Sequence, residues 1–256
     1  MTPGRLFDMS GKTALVTGGG SGLGRLFALT LADAGATVIL AARRHEPLEE
    51  TASVIRANGG TAHCAPLDVT DSSGFEAAFS AIPKIGTIDV LVNNAGVAGQ
   101  HSLLDVTEEA WDRVMSVNLK GAWLAARATA RLMIARNAPG SIINISSVLG
   151  SAVQKGTANY PAAKAALTHL TRSMAVEWAK FRIRVNAIAP GYFLTDLSTG
   201  FVDSGQGKAM LKRMPQRRLG DPGELSGALL LLASGASTYM TGSVIVVDGG
   251  LSVPVV

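Results

Sequence analysis

Hydrophobic residues along this chain fall into two kinds of stretch. Short dense runs occupy residues 13–17, 37–40, 62–67, 90–92, 141–145, 185–189 and 244–247. Most are apolar nearly throughout, which is the pattern of strands covered on both faces rather than the in–out alternation of a half-exposed sheet. Between them lie longer stretches with helical character, residues 25–34, 48–57, 108–136, 162–180 and 223–232. This alternation predicts βαβ units, and hence one α/β domain with a doubly wound parallel sheet of about seven strands. Residues 192–219 break the rhythm, with mixed polarity, scattered glycines and no clear strand. Such a segment is expected to be a lid over a site, the alternative being a disordered insertion.

Composition narrows the class. The chain has 256 residues, 47% of them hydrophobic, enough for a substantial globular core. No apolar leader and no unbroken apolar run of about 18 residues occurs, so neither export nor a membrane span is expected. The single cysteine, Cys64, cannot form an internal disulfide. It predicts a reducing, cytoplasmic setting, with Cys64 itself a small core residue. The formal charge of +4 is spread without a basic tail. That lends little support to nucleic-acid binding and suits a phosphorylated cofactor or an anionic substrate equally. No His/Cys cluster in the sequence suggests a metal.

The first run leads directly into Gly18-Gly19-Gly20-Ser21-Gly22-Leu23-Gly24, and a helical pattern follows. Glycines let the backbone approach a pyrophosphate, and the helix N-terminus supplies amide donors and the positive end of its dipole. The spacing Gly18-x3-Gly22-x-Gly24 differs from the common G-x-G-x-x-G, and no Lys-Ser/Thr ending marks a P-loop. After the second run come Ala41-Ala42-Arg43-Arg44, with no acid before Glu46. An acid there would bind the 2′-hydroxyl of an NAD ribose; arginines suit a 2′-phosphate, so NADP is expected ahead of NAD. Two solvated arginines are the plainer alternative. Asp68 and Val69 follow the third run, where Asp68 offers an acceptor to an adenine amino group. Asn93-Asn94-Ala95-Gly96 follow the fourth, again where a strand's carboxyl end meets ligands, though both are also ordinary turn sequences.

The fifth run ends in Ser146-Ser147, and thirteen positions after Ser147 comes Tyr160, then Lys164. At i and i+4, Tyr160 and Lys164 share one helical face. A free phenol has a pKa of about 10, and a neighbouring ammonium, together with a positive nicotinamide, is expected to lower it; reaching about 7 takes about 4 kcal/mol. Ser147 would hold a substrate oxygen within reach. A surface Tyr–Lys pair is the plainer alternative. Pro161 disfavours helix at the residue before it, so the helix is expected to start close to Tyr160.

Together these residues resemble the short-chain dehydrogenase/reductase family. The matching pieces are Thr17-Gly18-x3-Gly22-x-Gly24, Asn93-Asn94-Ala95-Gly96, Asn118, Ser147, Tyr160-x3-Lys164, Pro190-Gly191 and Asp248-Gly249-Gly250, spanning residues 7–250. The resemblance implies a Rossmann-type fold and a catalytic set of Asn118, Ser147, Tyr160 and Lys164. In it Tyr160 is the general acid/base, Lys164 its partner and a ribose ligand, and Ser147 rather than Ser146 orients substrate. Asn118 would hold a water in a proton relay, against the alternative of a helical asparagine bonded to backbone. The implied cofactor residues are Gly18, Ser21, Gly22, Leu23, Gly24, Arg43, Asp68, Val69, Asn94, Ala95, Gly96, Tyr160 and Lys164, with Ile188, Pro190, Gly191 and Thr195 at the nicotinamide carboxamide. A homotetramer or homodimer is implied. Within the family the pattern is most like 3-oxoacyl-carrier-protein reductases and gluconate 5-dehydrogenases. Ser141 stands where carrier-protein reductases often have a docking arginine.

The expected reaction is hydride transfer between NADP(H) and a secondary alcohol or ketone. The alternatives are an NAD-dependent catabolic alcohol or sugar-acid dehydrogenase, an inactive cofactor-binding regulator, and an epimerase or dehydratase of the extended family. The last usually carries a further C-terminal domain. Substrate-pocket candidates are Leu149, Gln154, Tyr192, Phe193, Leu197, Phe201, Met210 and Met214. Lys208, Lys212, Arg213, Arg217 and Arg218 are expected to form a solvated face, or else to meet an anionic substrate. His101 and His169 are expected to be structural or exposed.

Overall fold

A computed structural model describes residues 6–71, 75–82, 87–99, 102–195 and 204–253; His101, Leu197 and Phe201 lie outside them. Seven parallel strands form one sheet: β1 (Thr13–Thr17), β2 (Thr37–Ala42), β3 (Thr61–Pro66), β4 (Val90–Asn93), β5 (Gly140–Ile145), β6 (Ile183–Pro190) and β7 (Val244–Val247), in the order β3-β2-β1-β4-β5-β6-β7. The helices are α1 (Gly22–Asp33), α2 (His45–Ala57), α3 (Phe75–Ala81), α4 (Glu108–Met115), α5 (Ala122–Ala135), α6 (Asn159–Trp178), α7 (Gly205–Arg213) and α8 (Ser226–Ala233). Among the described residues no helix is long and apolar enough to cross a membrane.

The two-residue strand period divides the core. Val16, Val38, Leu40 and Val92 point to the face covered by α1, α2 and α8, and their neighbours Leu15, Ile39 and Leu91 to the face covered by α3, α5 and α6. Helix α1 buries Gly24, Phe27, Ala28 and Leu31, and α2 buries Leu48, Thr51, Ala52 and Ile55, each at i, i+3, i+4, i+7. Strand order reverses at β1, which pairs with both β2 and β4. The crevice between the loops after β1 and β4 is where sheets of this kind receive ligands.

Several elements differ from expectation. Helix α3 has no counterpart in the periodic stretches. The pattern over 108–136 is not one α-helix: a π-helical turn, Ser116–Gly121, separates α4 from α5. The segment 192–219 contains α7 and, at its base, a parallel bridge between Phe193 and Gly220. Phe193 and Met214, expected in a substrate pocket, are 8% and 1% exposed, and Phe193 joins the core beneath α8. Both also line a small cavity of about 110 Å3 together with Tyr192 and Asp248. Cys64 is only half-buried, and its thiol donates to Glu49 Oε2 at 3.3 Å.

Candidate active site

The turn after β1 is shaped for close approach. Gly18 and Gly22 have φ of +69° and +51°, the left-handed region that favours glycine. A Cβ on Gly24 would stand 2.0 Å from the Gly18 carbonyl oxygen, so only glycine lets α1 begin there. Ser21 is the N-cap of α1 in extended conformation, and its hydroxyl makes no capping bond. Thr17, buried at the end of β1, fixes the neighbouring loop: its Oγ1 accepts from the backbone N–H of Asn94 and of Ala95, both at 3.1 Å. Asn94 returns the contact, donating from Nδ2 to the carbonyls of Thr17 and Gly18 at 3.2 and 3.3 Å.

A cavity of about 160 Å3 lies over these loops, lined by Gly18, Ser21, Asp68, Val69, Ala95 and Gly96. Arg43 and Arg44 form its outer wall, both exposed and without an ion pair among the described residues. One oxygen of Asp68 is held by its own turn, accepting from the backbone N–H and the hydroxyl of Thr70 at 2.8 and 2.7 Å. Among the described residues, no partner is shown for the other oxygen, which is open to a ligand. A glycine-walled cradle at a helix N-terminus, rimmed by two unpaired guanidiniums, fits a dinucleotide with an additional phosphate. Leu23 points partly into the core beneath α1. Pro190, Gly191 and Thr195 lie outside this cavity, at or just after the end of β6, two strands over from β4.

Helix α6 starts at Asn159, one residue ahead of Tyr160, so Pro161 falls in the first turn, where no intrahelical amide is required. Tyr160 and Lys164 therefore share a face, with Lys164 Nζ 5.6 Å from the centre of the phenol ring. The ammonium is 4% exposed and donates to the Ile145 carbonyl at 2.8 Å. Burial brings its pKa down to about 8. Ser147 lies close enough to the Tyr160 hydroxyl to favour its ionised form. Ser147 also accepts from the Leu149 N–H, at 3.1 Å. Ser146 faces elsewhere, its hydroxyl engaged by the Lys164 carbonyl and Thr168 Oγ1.

Burial opposes the expected lowering of the phenol's pKa. That pKa is raised above 10, first by burial, then by the Tyr192 hydroxyl nearby, with Ser147 pulling it down. The sequence spacing shows the ammonium but not the desolvation that opposes it. Asn118, fully buried in the π turn, clasps Val97, accepting from its N–H at 2.8 Å and donating to its carbonyl at 2.9 Å. Its side chain is thus engaged with backbone. A π turn of this sort often marks a functional position. A Cβ at Gly96 would lie 3.4 Å from Asn118 Oδ1 and 3.7 Å from Lys164 Nζ, so the cradle loop runs directly against the Tyr–Lys pair.

A buried polar chain, unmarked in the sequence, ties the halves together. Asn93 donates to Asn144 at 2.9 Å, Asn144 to Thr171 at 2.9 Å, and Thr171 to the Leu167 carbonyl at 2.8 Å. It links the ends of β4 and β5 to α6. A groove of about 720 Å3 lies over the start of α6, lined by Leu149, Gln154, Lys155, Pro161 and Ala165 among others, and not by Ser147, Tyr160 or Lys164. Gln154 accepts from the Tyr192 hydroxyl at 2.8 Å, joining this wall to the base of 192–219. Of the basic residues in that segment, Arg218 is paired with Glu224 and Arg217 donates to the Lys212 carbonyl. Lys208, Lys212 and Arg213 are exposed on or near α7, and His169 is exposed on α6. A cavity of about 700 Å3 at the opposite, amino ends of the strands includes Arg184, whose guanidinium is committed to Ser237 and the carbonyls of Leu232 and Ser234.

Known proteins share this arrangement over the whole chain. The profile of a family described as enoyl-(acyl carrier protein) reductase matches residues 18–252. The chain is 39% identical to gluconate 5-dehydrogenase of Gluconobacter oxydans over 97% of each chain. It is 40% identical to 5-keto-D-gluconate 5-reductase of Escherichia coli K12, over 98% of this chain and 99% of that one. A crystal structure of a gluconate 5-dehydrogenase from Burkholderia cenocepacia, in complex with NADP and tartrate, superposes with a TM-score of 0.95 at 39% identity, covering 99% and 100% of the two chains. With its glycine cradle, its reversed strand order and its Ser147, Tyr160 and Lys164 in one cleft, the chain belongs to the short-chain dehydrogenase/reductase family.

Proposed function

We propose that this protein is an NADP-dependent oxidoreductase that interconverts a secondary alcohol and a ketone, with Tyr160 as general acid and base. The observation that carries it is the juxtaposition of the Lys164 ammonium with the Tyr160 ring, 5.6 Å from its centre, and of the cradle loop at Gly96 with that same ammonium. Gly18, Ser21, Gly22, Gly24, Asp68, Val69, Asn94, Ala95 and Gly96 would hold the dinucleotide, Arg43 and Arg44 its additional phosphate, and Pro190, Gly191 and Thr195 the carboxamide. When bound, the cofactor supplies or accepts the hydride.

The chain's own residues move the proton. In ketone reduction the Tyr160 O–H, which stays protonated at neutral pH because burial raises it, donates to the substrate oxygen; Ser147 donates a second hydrogen bond that fixes that oxygen. In alcohol oxidation the phenolate receives the hydroxyl proton. Lys164, mostly charged at pH 7 with a pKa of about 8 and 5.6 Å from the centre of the phenol ring, favours that phenolate. Asn118 acts by holding Val97, and so the cradle loop, in register with Lys164.

A sugar acid is the substrate class that the relatives named for gluconate and 5-keto-gluconate support. Lys155 supplies a cation on the groove wall. The anionic substrate's KM then rises with ionic strength; a flat response would remove charge from recognition. Edge strand β7, with Val246 47% exposed, supports assembly as a homodimer or homotetramer, to be measured by light scattering. The deciding experiment is Tyr160→Phe. Turnover with a ketone and NADPH should fall by about 10²- to 10⁴-fold while the NADPH dissociation constant stays within a factor of about two. Full activity in this variant would remove Tyr160 from the chemistry.

A further inference from the structure

Away from the cleft, the edge of the sheet brings together three side chains of different chemistry. His45 and Glu49 lie one turn apart on α2, and Cys64 stands on β3, the edge strand. One donor atom from each, an imidazole nitrogen, a carboxylate oxygen and the thiol sulfur, lies within 4.8 Å of both others. We propose that His45, Glu49 and Cys64 bind one divalent cation of the zinc class, with solvent completing a tetrahedral shell.

The donor set selects the ion. Thiolate and imidazole favour zinc-like borderline metals over magnesium or calcium, which prefer oxygen shells. Bond lengths of about 2.0 Å to nitrogen and oxygen and about 2.3 Å to sulfur put neighbouring ligands about 3.3–3.7 Å apart. The Cys64–Glu49 pair, at 3.3 Å, is already at that spacing. His45 is exposed at the first position of α2, so its ring is free to close the remaining distance. The shell behind the ligands is built as well. Arg56 fixes the outer oxygen of Glu49 through Nη1 at 2.5 Å, and its Nε and Nη2 are anchored on the Ala62 carbonyl at 3.2 and 3.0 Å. Such a partner holds a carboxylate ligand in one orientation. Thiolate and carboxylate together neutralise a dication. On binding, the Cys64 S–H bond breaks, a sulfur–metal bond forms, and the proton leaves to solvent.

The consequence is local. The ion would pin the first turn of α2 to the edge strand, directly after Arg43 and Arg44. This inference is independent of the proposed reaction, since none of the three residues lines the cradle.

The test uses the full-length, tag-free protein after chelation and reduction, titrated with Co2+. One equivalent per chain should bind, giving the visible bands of tetrahedral cobalt and a near-ultraviolet sulfur-to-cobalt transition. Zn2+ should displace it and Mg2+ should not. Cys64→Ser should abolish the sulfur transition, and His45→Ala should weaken Zn2+ binding at least tenfold, while His169→Ala, at an exposed histidine elsewhere, changes neither. Circular dichroism confirms that each variant folds; His45 is exposed, so its variant keeps the test valid if the Cys64 variant does not. Binding that is absent in the wild type, or undiminished in His45→Ala, overturns the proposal.

Discussion

Thr17→Val isolates what one buried hydroxyl does for the cofactor loop. The two side chains have nearly the same shape, so packing at a position 2% exposed is preserved and only the oxygen is lost. Its removal affects its two donors unequally. The Asn94 N–H keeps a second acceptor, the Val92 carbonyl at 3.1 Å, whereas among the described residues the Ala95 N–H has only Thr17 Oγ1. The third contact, Thr17 Oγ1 to the Val92 carbonyl, is long at 3.4 Å and adds little. One orphaned N–H costs about 1–3 kcal/mol, and because Ala95 is half-buried and partly reachable by water, the lower part of that range, about 1–2 kcal/mol, applies.

For a chain of this length that loss lowers the melting temperature by about 2–8 °C, measured at fixed chain concentration so that assembly does not enter. The functional effect is the sharper readout. With Ala95 released, Gly96 moves relative to Lys164, and KM for NADPH should rise about tenfold, equivalent to about 1.4 kcal/mol. Thr17→Ser keeps the oxygen and loses a methyl group, so its KM should stay within a factor of about two of the wild type even though it too is somewhat less stable. The reasoning fails if Thr17→Val binds NADPH as the wild type does, or if Thr17→Ser loses as much affinity as Thr17→Val.

Three further outcomes are expected. Arg43→Ala should weaken NADPH at least tenfold while leaving NADH within about twofold, read by fluorescence titration at fixed salt; an equal loss for both would place Arg43 off the phosphate. Lys164 is held at about 8 against an ordinary 10.5, so below pH 8 both folded and unfolded chains carry its charge and the full cost of burying it is present; between pH 8 and 10.5 the unfolded chain alone binds the proton, and stability rises with pH. The stability of Lys164→Met relative to wild type should therefore fall by about 2 kcal/mol between pH 7 and 9.5 in urea unfolding, and a constant difference would contradict the shift. Tyr192 raises the Tyr160 phenol, so Tyr192→Phe should move the rising limb of the pH profile for alcohol oxidation to lower pH; a limb that stays put would show that the two hydroxyls are not coupled.

What the sequence discloses and what it conceals divide along one physical line. All seven strands were legible because each is a local and largely apolar run, the central ones enclosed on both faces, and the glycine cradle because its spacing is itself the backbone requirement. The Tyr160–Lys164 pairing was legible because one helical turn separates the two. Short helix α3 was not, since seven residues give too little period to read, and the π turn at Ser116–Gly121 was not, because one extra residue in a turn leaves the apolar pattern over 108–136 nearly intact. The larger omissions are contacts between distant positions. Thr17 reads as the last residue of a strand until Ala95 is beside it. Asn93 reads as the start of a ligand-facing turn, and Asn144 and Thr171 carry no signal, until β4, β5 and α6 bring them into one hydrogen-bonded chain. Cys64 reads as core until α2 sets Glu49 against it.

The direction of the Tyr160 shift belongs to the same class. Spacing reports that an ammonium is near, but whether a phenol rises or falls depends on how much water the fold removes from both groups, and that is a property of packing alone. The desolvation that raises the Tyr160 phenol also brings Lys164 down to about 8, so two groups of ordinarily similar proton affinity move apart, the phenol holding its proton more tightly than the ammonium. A site in which acid and ammonium are both destabilised as ions is suited to donate a proton to a ketone at neutral pH and to recover it as pH rises. Reduction should therefore dominate at neutral pH, with oxidation growing on the alkaline side. Initial rates in both directions at matched cofactor saturation between pH 6.5 and 10 would show the crossing. An oxidation rate that already peaks below pH 7 would mean that the phenol is lowered in the working enzyme far beyond what burial here permits.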